Sequence, residues 1–246
     1  MGLIYQIGRY SIFLKKCFEK PERRSVYWSL FIDEIVKLGV SSLGIIIVIS
    51  GFMGMVITIQ TASQVDSSFI PDYLVGFTTR QSVILEFSPT MLALILAGKI
   101  GSNIASEIGT MRVTEQIDAL EIMGINSAGY LVIPKIYGFM FIMPFLVIVS
   151  MFVGIFFGYL ICEITEIIPP SQYLLGIQYD FIPFHVSYGL FKSVVFAFFI
   201  ASISAFHGYF VKGGALEVGR ASTKAVVFSS IVILIVNYVI TQMLLI

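Results

Sequence analysis

Long apolar runs and shorter polar stretches alternate along this chain, and the apolar runs recur five times. Each run is long enough, at about 20 residues, to cross roughly 30 Å of lipid hydrocarbon as a helix. Because a helix satisfies its own backbone hydrogen bonds, such runs are stable in a solvent that offers none. The pattern predicts transmembrane helices at about 39–62, 82–104, 136–161, 186–208 and 225–246.

The N-terminal stretch is amphipathic rather than continuously apolar. Apolar side chains recur there with helical spacing, at Leu3, Ile7, Tyr10, Leu14 and Cys17. Such spacing, with cations between, is typical of a helix lying in the membrane interface. Pro21 is expected to end this helix, and 25–38 to form a second interfacial piece anchored by Trp28. We therefore predict an all-α integral membrane protein, a single domain over 1–246 with interfacial helices within 1–38.

Composition agrees with a chain dissolved in lipid. Hydrophobic residues make up 57% of it and charged residues 12%, against about 25% charged residues in soluble domains. The formal net charge is zero, so the basic surface typical of nucleic-acid binding is missing. Neither the two cysteines nor the two histidines have a metal-binding or catalytic spacing. The chain is predicted to hold no metal and no cofactor, and not to be an enzyme.

Lysine and arginine are unevenly distributed between the two ends of the predicted spans. Seven lie in residues 1–40, three in 99–135 and three in 207–224, whereas 162–187 contains none. Cytoplasmic segments of membrane proteins are enriched in these residues. The N-terminus is therefore predicted in the cytoplasm and the C-terminus outside. The multi-pass protein is expected in the inner membrane of a host with two membranes, and in the plasma membrane or a plastid envelope otherwise.

A polar, acidic stretch, ASEIGTMRVTEQIDALEIMGI, occupies residues 105–125 between the second and third runs. A short helix is predicted there at about 113–123, with Thr114 as its N-cap and Gly124 as its stop. Its outer face carries acidic side chains and one apolar side chain, at Glu115, Asp118, Glu121 and Ile122. Anionic headgroups would repel such a face, whereas a protein partner would suit it. A solvated loop helix without a partner is the alternative.

Two polar side chains within the spans are candidates for a functional cavity. Glu86 lies about one turn into the second run, where a carboxylate is costly unless it faces a cavity or a partner. Gln60, late in the first run, would lie at a similar depth and could share that cavity. A simpler role is possible for each residue. Glu86 could be hydrated near the outer interface, and Gln60 could form an interhelical hydrogen bond.

Small residues recur at four-residue spacing within the runs. They lie in the second run at Ala97, Gly101, Ala105 and Gly109, and in later runs at Gly154, Gly158, Ala197, Ala201 and Ala205. Such rows let helix backbones approach closely in membranes. The spacing predicts packing, and leaves open whether the packing is within one chain or between two.

Two stretches carry a family resemblance. The first is LAGKIGSNIASEIGTMRVTEQIDALEIMGIN (96–126), and the second is YFVKGGALEVGRASTKAVV (209–227). Both resemble the MlaE-type permeases, the transmembrane subunits of MCE-associated ABC lipid transporters, and the resemblance extends over nearly the whole chain. Residues 86–89, Glu-Phe-Ser-Pro, stand where the family usually has Glu-Leu-Gly-Pro. Phe87 and Ser88 depart from that pattern, and the bulkier Phe87 is expected to bear on the shape of the lipid cavity.

The resemblance implies partners and roles that spacing does not. Such permeases form homodimers that hold phospholipid in a cavity between the two copies, with an MCE-domain protein hexamer on the outer face. Each copy binds an ABC ATP-binding subunit, which carries ATP and Mg, through a coupling helix that corresponds to 113–123. The implied ATPase-coupling contacts are Glu115, Asp118, Glu121 and Ile122, and the implied lipid-cavity residues are Glu86, Gln60 and Pro89.

The favoured hypothesis is therefore the permease subunit of an ATP-driven phospholipid transporter. One alternative is a secondary transporter that uses Glu86 as an ion or proton site, although five spans and one intramembrane acid fit that class poorly. Another is a membrane scaffold whose acidic helix recruits a cytoplasmic protein without any transport.

Overall fold

The computed structural model describes residues 3–19, 24–65 and 71–245, and these residues form helices and short turns without any strand. The amphipathic N-terminal pattern forms α1, Leu3–Phe18. A helix is therefore present where one was predicted, and its place in the membrane interface stays a prediction. Pro21 lies outside the described residues. Helix α2 spans Arg24–Ile35 and is followed by a π-helical turn and by α3, Ser41–Gln64.

The remaining helices follow in chain order. The second span is built from α4 (Tyr73–Ser82), a π-helical stretch (Val83–Met91), α5 (Leu92–Leu96), a second π-helical stretch (Ala97–Gly101) and α6 (Ser102–Val113). After it come α7 (Gln116–Ile122), α8 (Ser127–Thr165), α9 (Pro170–Gln178), α10 (Pro183–Tyr209) and α11 (Ala215–Leu244).

Five helices among the described residues are long and apolar enough to cross a membrane. They are Tyr27–Gln64, Tyr73–Val113, Ser127–Thr165, Pro183–Tyr209 and Ala215–Leu244. Each overlaps one predicted run, so the prediction of five spans is confirmed. The helices are longer than the runs because hydropathy marks only the part suited to lipid, whereas helical hydrogen bonding continues beyond it. The short helix α9 has no counterpart in the predicted elements.

The chain forms two compact units, of which the first comprises Met1–Ser41, Ala93–Met143 and Val194–Ile246. In this unit the small-residue row of the second span packs against α10 and α11. A Cβ added to Gly208 would lie 2.6 Å from the carbonyl oxygen of Ala105, and one added to Gly109 would lie 3.2 Å from Val218. The first distance is shorter than real Cβ contacts allow, so the residue there must be glycine. The predicted packing therefore occurs within one chain.

Four charged side chains tie α2, α6 and α8 together in the first unit. Lys135, whose side chain is 4% exposed, lies 2.5 Å from Glu34 and 3.0 Å from Glu107. Glu107 in turn lies 2.7 Å from Lys37. Because two carboxylates face two cations, the cost of burying Lys135 is offset by direct pairing.

The second unit comprises Ser42–Leu92 and Pro144–Ser193. Helices α3 and α8 cross at two glycines, where a Cβ on Gly54 would lie 2.0 Å from the carbonyl oxygen of Gly154. A Cβ on Gly158 would lie 2.2 Å from the hydroxyl of Tyr173, and one on Gly76 would lie 2.2 Å from the carbonyl oxygen of the same tyrosine. The predicted packing role of Gly154 and Gly158 is confirmed.

Arg80 is buried at the C-terminal end of α9. It is 2% exposed, and its guanidinium donates hydrogen bonds to the carbonyl oxygens of Ile177 at 2.6 Å, Tyr179 at 2.9 Å and Asp180 at 3.2 Å. The last carbonyl groups of a helix have no partner within it, and they form its negative end. One arginine therefore satisfies the end of α9 and fixes it against α4.

We expect Arg80→Met to lower the free energy of unfolding by about 3 kcal/mol, because several buried carbonyl groups lose a charged donor. Thermal unfolding in detergent would measure the change. Arg220→Met is the matched control, since this exposed arginine forms an ion pair with Glu217 three residues away and its loss should cost less than about 1 kcal/mol. Equal losses in the two variants would contradict the capping role of Arg80.

Candidate functional site

Glu86 forms an ion pair in the second unit, within the predicted membrane span. Its Oε1 lies 2.7 Å from Nζ of Lys192 on α10, and its Oε2 accepts a hydrogen bond from Thr90 at 3.1 Å. Lys192 also donates to the carbonyl oxygen of Leu85 at 3.4 Å and lies 4.6 Å from the ring centroid of Tyr188. Pairing of opposite charges offsets part of the cost of keeping each in a medium of low dielectric constant.

The two partners of this pair differ in accessibility. The side chain of Lys192 is 0% exposed, whereas that of Glu86 is 42% exposed. The enclosed cation holds the carboxylate in position, and part of the glutamate side chain stays exposed. Such an arrangement can offer a fixed negative group to a polar group of a bound molecule.

Sequence reasoning missed Lys192, although the chain contained a signal for it. This lysine lies about two turns into the fourth run, 186–208, where a cation is as costly as the acid of the second run. A charge within a membrane usually pairs with another charge. Matching the lone cation of one run with the lone acid of another would have found the site.

The backbone next to the ion pair is irregular. The stretch Val83–Met91 is π-helical and contains Pro89, and a wider turn accommodates a residue that has no N–H to donate. Ser88, one of the departures from the family pattern, is buried there. It accepts a hydrogen bond from Ser150 at 3.1 Å, and Ser150 accepts one from Ser50 at 2.8 Å. These hydroxyls connect the second span to α8 and α3.

The other predicted cavity residues are placed differently from Glu86. Pro89 is buried, and Gln60 is exposed on α3. That the three line one cavity remains a prediction.

The predicted acidic helix begins later than the sequence suggested. Helix α7 starts after Glu115, which has a left-handed backbone with a φ of 61°. The hydroxyl of Thr114 donates to the carbonyl oxygen of Thr110 at 2.9 Å and therefore belongs to the end of α6. The prediction of Thr114 as an N-cap is wrong, because a threonine can bond back into the preceding helix as readily as forward into the next.

The end and the orientation of α7 agree with the sequence pattern. Gly124 has a φ of 79°, and the N–H of Ile125 donates to the carbonyl oxygen of Leu120 at 3.1 Å, which is the Schellman ending that a glycine favours. Ile117 is fully buried, whereas Ile122 is 87% exposed. Ile117 therefore anchors α7 in the protein interior, whereas Ile122 lies at the surface and is available for a contact.

The corner between α6 and α7 is braced by an ion pair. Arg112 on α6 lies 2.7 Å from Asp118 on α7. Only Thr114 and the left-handed Glu115 separate the last residue of α6 from the first residue of α7. The two helices are therefore connected twice, by a two-residue turn and by the ion pair across it.

Glu121 connects α7 to other parts of the first unit. Its Oε1 accepts hydrogen bonds from the hydroxyls of Tyr209 and Ser127, each at 2.9 Å, and lies 3.3 Å from Nζ of Lys16. The Tyr209 hydroxyl is the main cause that lowers the pKa of Glu121, and Ser127 and Lys16 act in the same direction against partial burial. The carboxylate is therefore ionised at neutral pH, and these contacts weaken only as the pH falls through the lowered pKa.

Comparisons with known proteins identify the family. The model of the family described as Permease MlaE matches residues 31–243. A probable ABC transporter permease protein of Rickettsia bellii is 38% identical over 98% of this chain and 93% of its own length. A protein of the same description from Synechocystis is 37% identical over 84% of this chain and 78% of its own length.

A more distant relative comes from Arabidopsis thaliana. It is the protein TRIGALACTOSYLDIACYLGLYCEROL 1, chloroplastic, which is 29% identical over 88% of this chain and 62% of its own length. The family match includes the span that carries Glu86, the whole of α7 and the span that carries Lys192. The all-α membrane chain described here belongs to the MlaE permease family.

Proposed function

We propose that this chain is the membrane-spanning subunit of an ATP-driven transporter that moves phospholipid between the membrane and an extracytoplasmic MCE-domain protein. Membership of the MlaE permease family carries this proposal. The relatives described as probable ABC transporter permeases support coupling to ATP hydrolysis. The Arabidopsis relative, whose name contains that of a diacylglycerol lipid, supports lipid as the class of cargo.

The proposal assigns the remaining functions to partners. An ABC ATP-binding subunit holds ATP and Mg, and a second copy of this chain completes a homodimer with the lipid between the copies. Only 17% of the apolar window of the fifth span is buried, so a long apolar face is available to a second copy or to lipid. The excess of cations in the N-terminal segment supports a cytoplasmic N-terminus, in an inner-membrane protein.

Helix α7 is the proposed coupling helix. Ile122 and Met123 are 87% and 65% exposed, so the end of the helix presents an apolar tip beside its acidic side chains. An apolar anchor with a charged rim is the usual composition of a protein contact. Because Asp118 and Glu121 bond to other helices of the first unit, a displacement of α7 is carried into those helices.

Glu86 is the proposed polar contact in the lipid cavity, with Gln60 and Pro89 as further lining residues. Its carboxylate is half exposed and fixed by Lys192, so it can bond to a headgroup without a large rearrangement. The bulk of Phe87 beside it, where the family usually has leucine, affects the shape of the cavity.

The assembly is tested by native mass spectrometry of the tagged protein, gently extracted from its own membrane. We expect a complex of two copies of this chain, two ATP-binding subunits, an MCE hexamer and bound phospholipid. A monomer or dimer without an ATP-binding subunit and without lipid would reject the proposal and favour a secondary transporter or a scaffold.

For the coupling helix, we expect Ile122→Asp to reduce co-purification of the ATP-binding subunit at least tenfold, because a charge replaces the apolar anchor of the contact. Leu216→Asp is the matched control. Leu216 is also an exposed apolar residue, at 71%, in the segment after the fourth span. Equal retention of the ATP-binding subunit in both variants would show that α7 is not the coupling helix.

For the lipid cavity, we expect Glu86→Leu to reduce both bound phospholipid and stability, since it leaves Lys192 buried without its carboxylate at a cost of about 3–5 kcal/mol. The double variant Glu86→Leu with Lys192→Met removes both charges. It should recover the unfolding temperature but not the bound lipid. Phosphorus analysis and thermal unfolding of the purified proteins measure the two quantities.

Recovery of lipid binding together with stability would show that the ion pair is only structural.

Reconstituted vesicles separate the two transport hypotheses. Lipid movement that requires ATP and the ATP-binding subunit supports the permease, whereas movement driven by a proton gradient alone would favour Glu86 as a proton site.

A further inference from the structure

A cavity of about 550 Å³ lies in the first unit, where α10 ends and α11 begins. Its walls come from α1, from the end of α10 and the connection after it, and from the first half of α11. It shares no residue with the Glu86–Lys192 pair or with α7. Cavities of this size are large enough for a small ligand or a lipid headgroup.

The cavity is lined by an excess of cations. Four cationic side chains line it, at Arg9, Lys212, Arg220 and Lys224, with one carboxylate, that of Glu217. Glu217 lies 2.5 Å from Arg220 and is therefore occupied. Among the described residues no carboxylate lies within ion-pair distance of Arg9, Lys212 or Lys224. The cavity holds unneutralised positive charge that comes from three separate segments of the chain.

The sequence spacing explains why the cations of α11 converge. Glu217, Arg220 and Lys224 follow one another at intervals of three and four residues, which places them on one face of the helix. Helix α11 starts after Gly214, which has extended backbone and gives no side-chain cap to the first N–H groups. The positive end of the helix dipole adds to the charge of these side chains.

Aromatic rings form the apolar part of the same cavity. Phe206, Phe210 and Phe228 line it. The guanidinium carbon of Arg9 lies 3.9 Å from the ring centroid of Phe210 and 5.9 Å from that of Phe206. Stacking on a ring restrains the guanidinium and leaves its N–H groups available at the edge. A ligand that fits would have a phosphate for the cations and an apolar part for the rings.

We propose that this cavity binds the phosphate headgroup of an anionic phospholipid from the adjoining leaflet, at a site other than the cargo cavity. Arginine and lysine are suited to phosphate oxygens, and basic pockets between membrane helices bind anionic headgroups. The position favours a lipid over a soluble phosphate compound. The cavity lies at the end of one membrane span and the start of the next, beside the amphipathic α1, where a headgroup is already at the right depth.

The test is calorimetric titration of the purified full-length protein in detergent with dioctanoyl phosphatidylglycerol. Dioctanoyl phosphatidylcholine and glycerol 3-phosphate are titrated in parallel, to separate headgroup charge and acyl chains. We expect phosphatidylglycerol to bind most tightly, and Lys224→Gln or Arg9→Gln to weaken it about fivefold each, the effect typical of one cation near anionic lipid. Lys15→Gln, which removes an exposed cation of α1 that does not line the cavity, should leave binding unchanged.

Equal weakening by Lys15→Gln and Lys224→Gln would overturn the proposal, because it would show attraction to overall charge rather than to this cavity. Binding of glycerol 3-phosphate as tight as that of phosphatidylglycerol would overturn the assignment to a lipid. The titration is repeated with the Glu86→Leu, Lys192→Met double variant. Retention of the charge-dependent binding there supports a second site, and its loss would place the lipid in the cargo cavity instead.

Discussion

The fold depends on close approach between helix backbones at small residues. In lipid, apolar side chains gain little by leaving the solvent for a neighbouring helix, so association relies on packing and polar contacts. Gly54 against Gly154 and Gly208 against Ala105 show how short the approach is, since a single Cβ at either glycine would collide with a carbonyl group. Short side chains can reach across only at such distances. The hydrogen bond between Ser106 and Ser222, at 2.7 Å, joins α6 to α11 in this way.

Close packing also makes the charged residues possible. Among the described residues, each buried charge has a specific partner, which is a carboxylate for Lys192 and Lys135 and a group of carbonyl oxygens for Arg80. The same principle applies to all three residues. A charge removed from water is destabilising unless an opposite charge or a set of aligned dipoles stabilises it. Cations without a carboxylate partner, such as Arg9 and Lys224, lie instead at the partly exposed cavity of the first unit.

Much of the fold could be predicted from hydropathy, whereas of the ion pair at the site only Glu86 was predicted and Lys192 was missed. The five spans, the N-terminal helix and the glycine stop at Gly124 each rest on a local signal. The pairing of Glu86 with Lys192 joins residues 106 positions apart and requires knowledge of which spans are neighbours. The start of α7 was mispredicted because the choice of Thr114 between two helices is decided by the turn at Glu115. That turn has a backbone that a glutamate seldom adopts.

The braced corner between α6 and α7 has a mechanical consequence. A flexible linker would let α7 move while α6 stayed still, but the two-residue turn and the pair of Arg112 with Asp118 prevent that independence. The two helices, about 18 Å and about 10 Å long at 1.5 Å per residue, form the unequal arms of a bent lever. Because α6 continues into the rest of the second span, a displacement of α7 is passed to that span rather than absorbed in a linker.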